Sequence, residues 1–184
     1  SFKGRGTEAV LSALAPRPRA VVAASSGNFG QGIAWTARRL GMMATIYAPD
    51  GANPQKVEAM RRLGAVVHVV EPGQDEADAA RVAARETGAP FIEDGAHSEI
   101  AAGAGTIAQE VTAAGLRPDV VLVQVGDGAL VTGIGSWLKA TSPGVRVVGV
   151  TARGAPAMAD SVEAGGPVER RADTIADGMS ITRP

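Results

Sequence analysis

An α/β fold built on mostly parallel sheets is predicted by three features of this 184-residue chain. Five short apolar runs alternate with segments of helical spacing, the intervals are long enough for crossover helices, and glycines follow several of the helical segments directly. The runs are Ala20 to Ala24, Ala44 to Ala48, Val66 to Val70, Val120 to Val125 and Arg146 to Val150. Each is almost continuous in apolar residues, as in parallel strands buried on both faces. Between them, Ile33, Ala37 and Leu40 share a helical face, as do Val57, Met60 and Leu63, and the spacing of Ile100, Ala104, Ile107, Val111 and Ala114 is the clearest. Gly41, Gly64 and Gly88 stand where a left-handed cap ends a helix. The alternation breaks at FIEDGAHSEI, Phe91 to Ile100, a polar, turn-rich stretch that reads as the crossing between two α/β lobes. No internal repeat or low-complexity tract interrupts the pattern.

Composition narrows the function classes. With 45% apolar residues the chain can bury one good core or two small ones. Its 18 Lys and Arg against 19 Asp and Glu leave a net charge of −1, with no basic run, so nucleic acid is not an expected partner. The absence of Cys excludes disulfides, thiol nucleophiles and Cys-ligated metals, and fits a reducing compartment. His68 and His97 are the only histidines, too few for a His-rich metal cage, and no metal is expected. No apolar stretch reaches the roughly 18 residues that span a bilayer, and the start lacks a signal-peptide pattern; no membrane association and a cytoplasmic location are expected.

Three motifs could carry chemistry. SSGNFGQG, Ser25 to Gly32, lies between a strand and a helix, where free backbone N–H groups and the helix dipole attract an anion. Ser26 and Asn28 add side-chain donors, although a capped tight turn explains the same residues. The run fits neither the dinucleotide pattern nor the Walker pattern. VGDGAL, Val125 to Leu130, follows the strand VVLVQV and precedes a helix, and Gly126 and Gly128 allow close backbone approach to a phosphate. Asp127 within it would repel a dianion, so its side chain is expected to face outward or to cap the helix. SFKGRG places Lys3 beside an aromatic residue and ahead of a helix read as Thr7 to Leu14, where partial desolvation would make the amine nucleophilic; an isolated lysine is otherwise solvated surface. A candidate amine with two anion-binding turns describes a phosphorylated aldehyde cofactor and a carboxylate substrate.

S-x-G-N-x-x-Q-G, S-F-K-x-R-G and V-G-x-G-x-L together resemble the fold-type II pyridoxal-phosphate enzymes, which include threonine and serine dehydratases, serine racemase, threonine synthase and the tryptophan synthase β chain. AGAGT (Ala102 to Thr106) and ADGM (Ala176 to Met179) also match dehydratase segments, so the resemblance covers essentially the whole chain. It implies pyridoxal 5'-phosphate as cofactor and Lys3 as the residue that forms the Schiff base. It implies that Asn28 bonds the phenolic oxygen, that Ser26, Gly27, Asn28 and Gln31 hold the substrate carboxylate, that Gly126, Asp127, Gly128, Ala129 and Leu130 form the phosphate loop, and that Gly178 lies near the ring. It implies two three-layer lobes: residues 15–98 as the small lobe, with 1–14 and 99–184 in an incomplete large lobe. Because motifs sit at both ends, the chain is expected to be truncated at both, with the group facing the pyridine nitrogen beyond Pro184.

The implied activity is a lyase that removes ammonia from threonine or serine, with Lys3 as general base at Cα. Threonine-synthase-like replacement and racemisation remain open, since G-D-G-A-L departs from the dehydratase G-G-G-G-L and Phe29 stands where many relatives carry His. An inert phosphate-binding α/β domain is the reading from another class. Family members are commonly dimers, so a homodimer is the expected assembly. His68 reads as a strand residue, His97 as positioning its segment, Glu93 and Asp94 as a solvated pair, Trp137 as packing, and Trp35 as lying off its helix's apolar stripe.

Overall fold

The computed structural model describes residues 1–184, apart from the side chain of Asp177. The chain forms two compact units, Ser1–Gly103 and Ala104–Pro184. In the first, β1 (Ala20–Ala24), β2 (Met43–Ala48), β3 (Val66–Val69) and β4 (Phe91–Ile92) make one parallel sheet in the order β3-β2-β1-β4. Strand β1 is central, with Val22 opposite Thr45 on one side and Phe91 on the other. Val21, Val22 and Ala23 are all buried, which is why AVVAA shows no polar alternation. Helices α2 (Asn28–Arg39) and α3 (Pro54–Arg62) pack on each other, and α4 (Glu76–Thr87) packs on β1 and β2. On the α4 side, Val22 packs with Ala80 and Ala84. Gly41, Gly64 and Gly88 take φ of 73°, 99° and 69°, the left-handed caps that the sequence predicts.

Two expectations need correction here. The stretch from Phe91 is not wholly irregular: Phe91 and Ile92 pair with Val22 and Ala23, and α5 (Ser98–Ala113) starts at Ser98. Two residues are too few to show a period, and what makes them a strand is the open edge of β1. The first helix, α1 (Lys3–Ala13), begins four residues earlier than Thr7, so Lys3 lies on its first turn. Gly4 and Gly6 disfavour a helix by about 1 kcal/mol each, but close packing overrides that preference. A Cβ on Gly32 would stand 2.8 Å from Thr7 Oγ1, and one on Gly6 would stand 2.8 Å from Ile100 Cγ2. One on Gly103 would strike the Arg5 carbonyl. Helix α1 is therefore held between α2 and α5 at nearly backbone contact. Thr7 donates to the Gly4 carbonyl at 3.1 Å, leaving the buried Thr36 hydroxyl to donate to Thr7 at 3.2 Å.

The second unit holds β5 (Val120–Gln124), α6 (Ala129–Thr141), β6 (Arg146–Val150), α7 (Ala157–Ala164) and a single 3-10 turn at Asp177–Met179. Strands β5 and β6 pair in parallel as a two-stranded sheet. The run VVLVQV predicts burial on both faces, but only one is covered: Val123 is 1% exposed and Leu122 70%. With two strands and α6 against them, alternate side chains on the other face have nothing to pack on. Within this unit a Cβ on Gly105 would meet the Gly133 carbonyl oxygen at 2.9 Å, so α5 and α6 touch closely. Trp137 joins the same pair by donating to Thr112 Oγ1 at 3.3 Å. Among the described residues, no helix is long and apolar enough to cross a membrane.

Candidate active site

The turn after β1 is built around Ser25, a residue of the motif to which the sequence reading gives no role. Its Oγ accepts from the N–H of Gly27 at 3.1 Å and of Gly30 at 2.9 Å, which ties the turn to the first residues of α2. Ser26 and Asn28 are exposed, Gln31 is half-buried and Phe29 is buried at 4% exposure, so the position where relatives carry His is filled by a packing residue. Asn28 and Gln31 line one groove of about 520 Å³ together with Ser1, Gly4 and Trp35. The Lys56 side chain passes close over Gly27: a Cβ there would lie 2.7 Å from Lys56 Cδ and 3.5 Å from its Nζ. A carboxylate bound at this turn would thus meet the positive end of α2 and a lysine ammonium. Lys56 is a neighbour of this turn that its motif does not announce, because it stands on α3, far from the turn in sequence.

Lys3 extends to Asp94, its Nζ donating to Oδ2 at 2.7 Å. The Phe2 ring centroid lies 5.4 Å from the same nitrogen. Glu93 and Asp94 are therefore not a solvated pair, since each has its own cation. Glu93 binds Arg81 at 2.5 Å, and Arg81 also binds Asp78 at 2.9 Å. Desolvation opposes the Arg81 charge, but Glu93 and Asp78 outweigh it and raise its pKa.

In the second unit, the loop from Gly126 connects β5 to α6. Asp127 caps the helix as the sequence predicts, its Oδ1 accepting from the N–H of Ala129 at 2.9 Å. Gly128 takes φ 94°, a left-handed conformation suited to glycine. A Cβ on Gly126 would strike the carbonyl of Gly178 and come within 3.6 Å of Met179 Cα. The structure thus brings together two glycines that the sequence selects separately. Ala129 and Leu130 are buried at the start of α6.

A family model described as pyridoxal-phosphate dependent enzyme matches residues 1–184. The chain belongs to this family. L-threonine ammonia-lyase from Geobacter sulfurreducens is 38% identical, in an alignment covering 100% of this chain and 47% of that protein. Among solved structures, the processed form of threonine deaminase isoform 2 from Solanum lycopersicum matches with a TM-score of 0.93 and 31% identity, over 100% of this chain and 55% of that one. Maize serine racemase matches with a TM-score of 0.92 and 28% identity, over 98% of this chain and 56% of that one. The chain thus spans about half the length of the curated relatives it matches. The fold agrees with the fold-type II resemblance. Each unit holds residues that suit part of the cofactor: in the second, Gly126 and Gly128 carry no side chain beside the N-terminus of α6, where a phosphate would bind, and in the first, Lys3 carries an amine on the first turn of α1.

Proposed function

We propose that this chain is part of an ammonia-lyase acting on L-threonine or L-serine. The observation that carries the reading is the 38% identity to an L-threonine ammonia-lyase along the entire chain. The site residues are assigned by the same resemblance. Lys3 binds the cofactor aldehyde, Asn28 bonds the phenolic oxygen, Gly126, Asp127, Gly128, Ala129 and Leu130 surround the phosphate, and Gly178 runs beside the ring. Ser26, Gly27, Asn28 and Gln31 hold the substrate carboxylate.

Bound pyridoxal phosphate would supply an electron sink that acidifies the substrate Cα–H. Lys3 Nζ takes that proton. The turn at the start of α2 fixes the carboxylate, which sets the direction of the Cα–H bond toward the base. The net products from threonine are a keto acid and ammonia.

Racemisation is the second reading, favoured by the match to maize serine racemase. Incubating the cofactor-loaded full chain with L-threonine and L-serine separates the two. Ammonia release above the cofactor-only rate is expected; D-serine without ammonia would replace the lyase by a racemase, and neither product would favour an inert phosphate-binding domain.

We also propose residues 15–98 as the small lobe and 1–14 with 99–184 as part of the large one, in a cytoplasmic homodimer. The separate four-stranded and two-stranded sheets support two lobes, while α1 packs on α2 within the first unit. Asp127 gives a prediction about the loop. Asn at this position keeps an acceptor for the Ala129 N–H but removes a charge that repels the phosphate. Asp127→Asn is expected to tighten cofactor binding by about 1 kcal/mol, roughly fivefold, in a spectroscopic titration.

A further inference from the structure

We propose that Asp94 is a positioning residue for Lys3, holding its Nζ as an ammonium at the connection between β4 and α5 until the amine is needed. The proposal rests on the reading of Lys3 as the cofactor lysine and adds to it the group that fixes that nitrogen's resting place and proton.

The contact itself is short and charge-assisted, at 2.7 Å from Nζ to Oδ2. Its setting is partly sheltered, with side-chain exposures of 15% for Lys3 and 24% for Asp94, so the attraction is less screened than in a surface pair. Both ends are also fixed by the fold. Lys3 stands on the first turn of α1, whose glycine contacts with α2 and α5 leave it little freedom. Asp94 comes two residues after Ile92, which is paired in register with Ala23 of β1. Its neighbour Glu93 is drawn to Arg81 on α4, which orients the connection so that the next carboxylate meets Lys3.

An ammonium has no lone pair. Before Lys3 can add to a carbonyl carbon or accept the Cα proton, Nζ must release one proton to water, and a carboxylate at this distance opposes the release. Asp94 thereby favours the ammonium form of Lys3, and it gives the side chain a place to return to when a substrate amine displaces it.

Competitive acetylation of the cofactor-free full chain tests this. Trace acetic anhydride is applied across a pH series, and the rate at Lys3 is read by peptide mass spectrometry beside that at Lys139, on the exposed end of α6, as reference. At neutral pH, Asp94→Asn is expected to accelerate labelling of Lys3 about tenfold relative to Lys139 and to move its titration to lower pH, whereas Asp94→Glu stays near the parent. Equal Lys3 rates in the parent and in Asp94→Asn overturn the proposal. Should Asp94→Asn fail to fold by circular dichroism, Asp94→Ser is read by the same criterion. The labelling involves no cofactor, so its failure is distinct from failure of the functional reading. If Lys3→Ala still attaches pyridoxal phosphate covalently, the functional reading fails while the acetylation result stands.

Discussion

Replacing Lys3 with Ala abolishes the absorption band of lysine-bound pyridoxal phosphate and lowers ammonia release from threonine to the cofactor-only background. The expectation follows from chemistry as much as from resemblance. The chain contains three lysines, Lys3, Lys56 and Lys139, so few amines compete for the aldehyde. Lys139 is exposed in the last turn of α6, and Lys56 lies over Gly27 at the turn assigned to the substrate carboxylate. Lys3 alone combines a half-buried amine with a helix locked by close contacts. A general base typically contributes about a hundredfold to ten-thousandfold in rate, and loss of the attachment point compounds it. The change is read by spectrum and ammonia assay on the same sample, with circular dichroism to confirm the fold.

Gly103→Ala is expected to be the most damaging small substitution in the helical layer that carries Lys3. The added methyl would strike the Arg5 carbonyl and stand 2.8 Å from Gly6 Cα, and both obstacles are backbone. Side chains can rotate away, whereas these atoms move only if α1 and α5 separate. A cost of about 3 kcal/mol is expected, at the upper end for overpacking, as a lower urea midpoint at unchanged slope. Gly4→Ala on the same helix is the control. A Cβ there has no neighbour within 4 Å, so the helix preference of Ala should stabilise by about 0.5–1 kcal/mol. Equal destabilisation by both would mean that α1 is not clamped as described.

The contrast between these two glycines marks what the sequence could convey. Strands β1 and β6 are read to the residue, because long apolar runs in parallel sheets keep their pattern even where one face is open. Strand β4 escapes because its two residues become a strand only beside β1. The early start of α1 escapes for a related reason: Gly4 and Gly6 speak against a helix locally, and the contacts that override them come from Gly32, Ile100 and Gly103. The candidate site residues divide in the same way. Gly126, Asp127 and Gly128 are legible because the turn and its helix are contiguous, and the cap by Asp127 follows from local chemistry. Asp94 and Lys56 are invisible in one dimension, since nothing near either residue announces the lysine or the glycine it meets.

The most direct test of the central claim is to load the full chain with pyridoxal phosphate, reduce it with borohydride, and map the modified peptide by mass spectrometry. The phosphopyridoxyl group is expected on Lys3, at one equivalent per chain. Its appearance on Lys56 or Lys139, with Lys3 unmodified, would contradict the account.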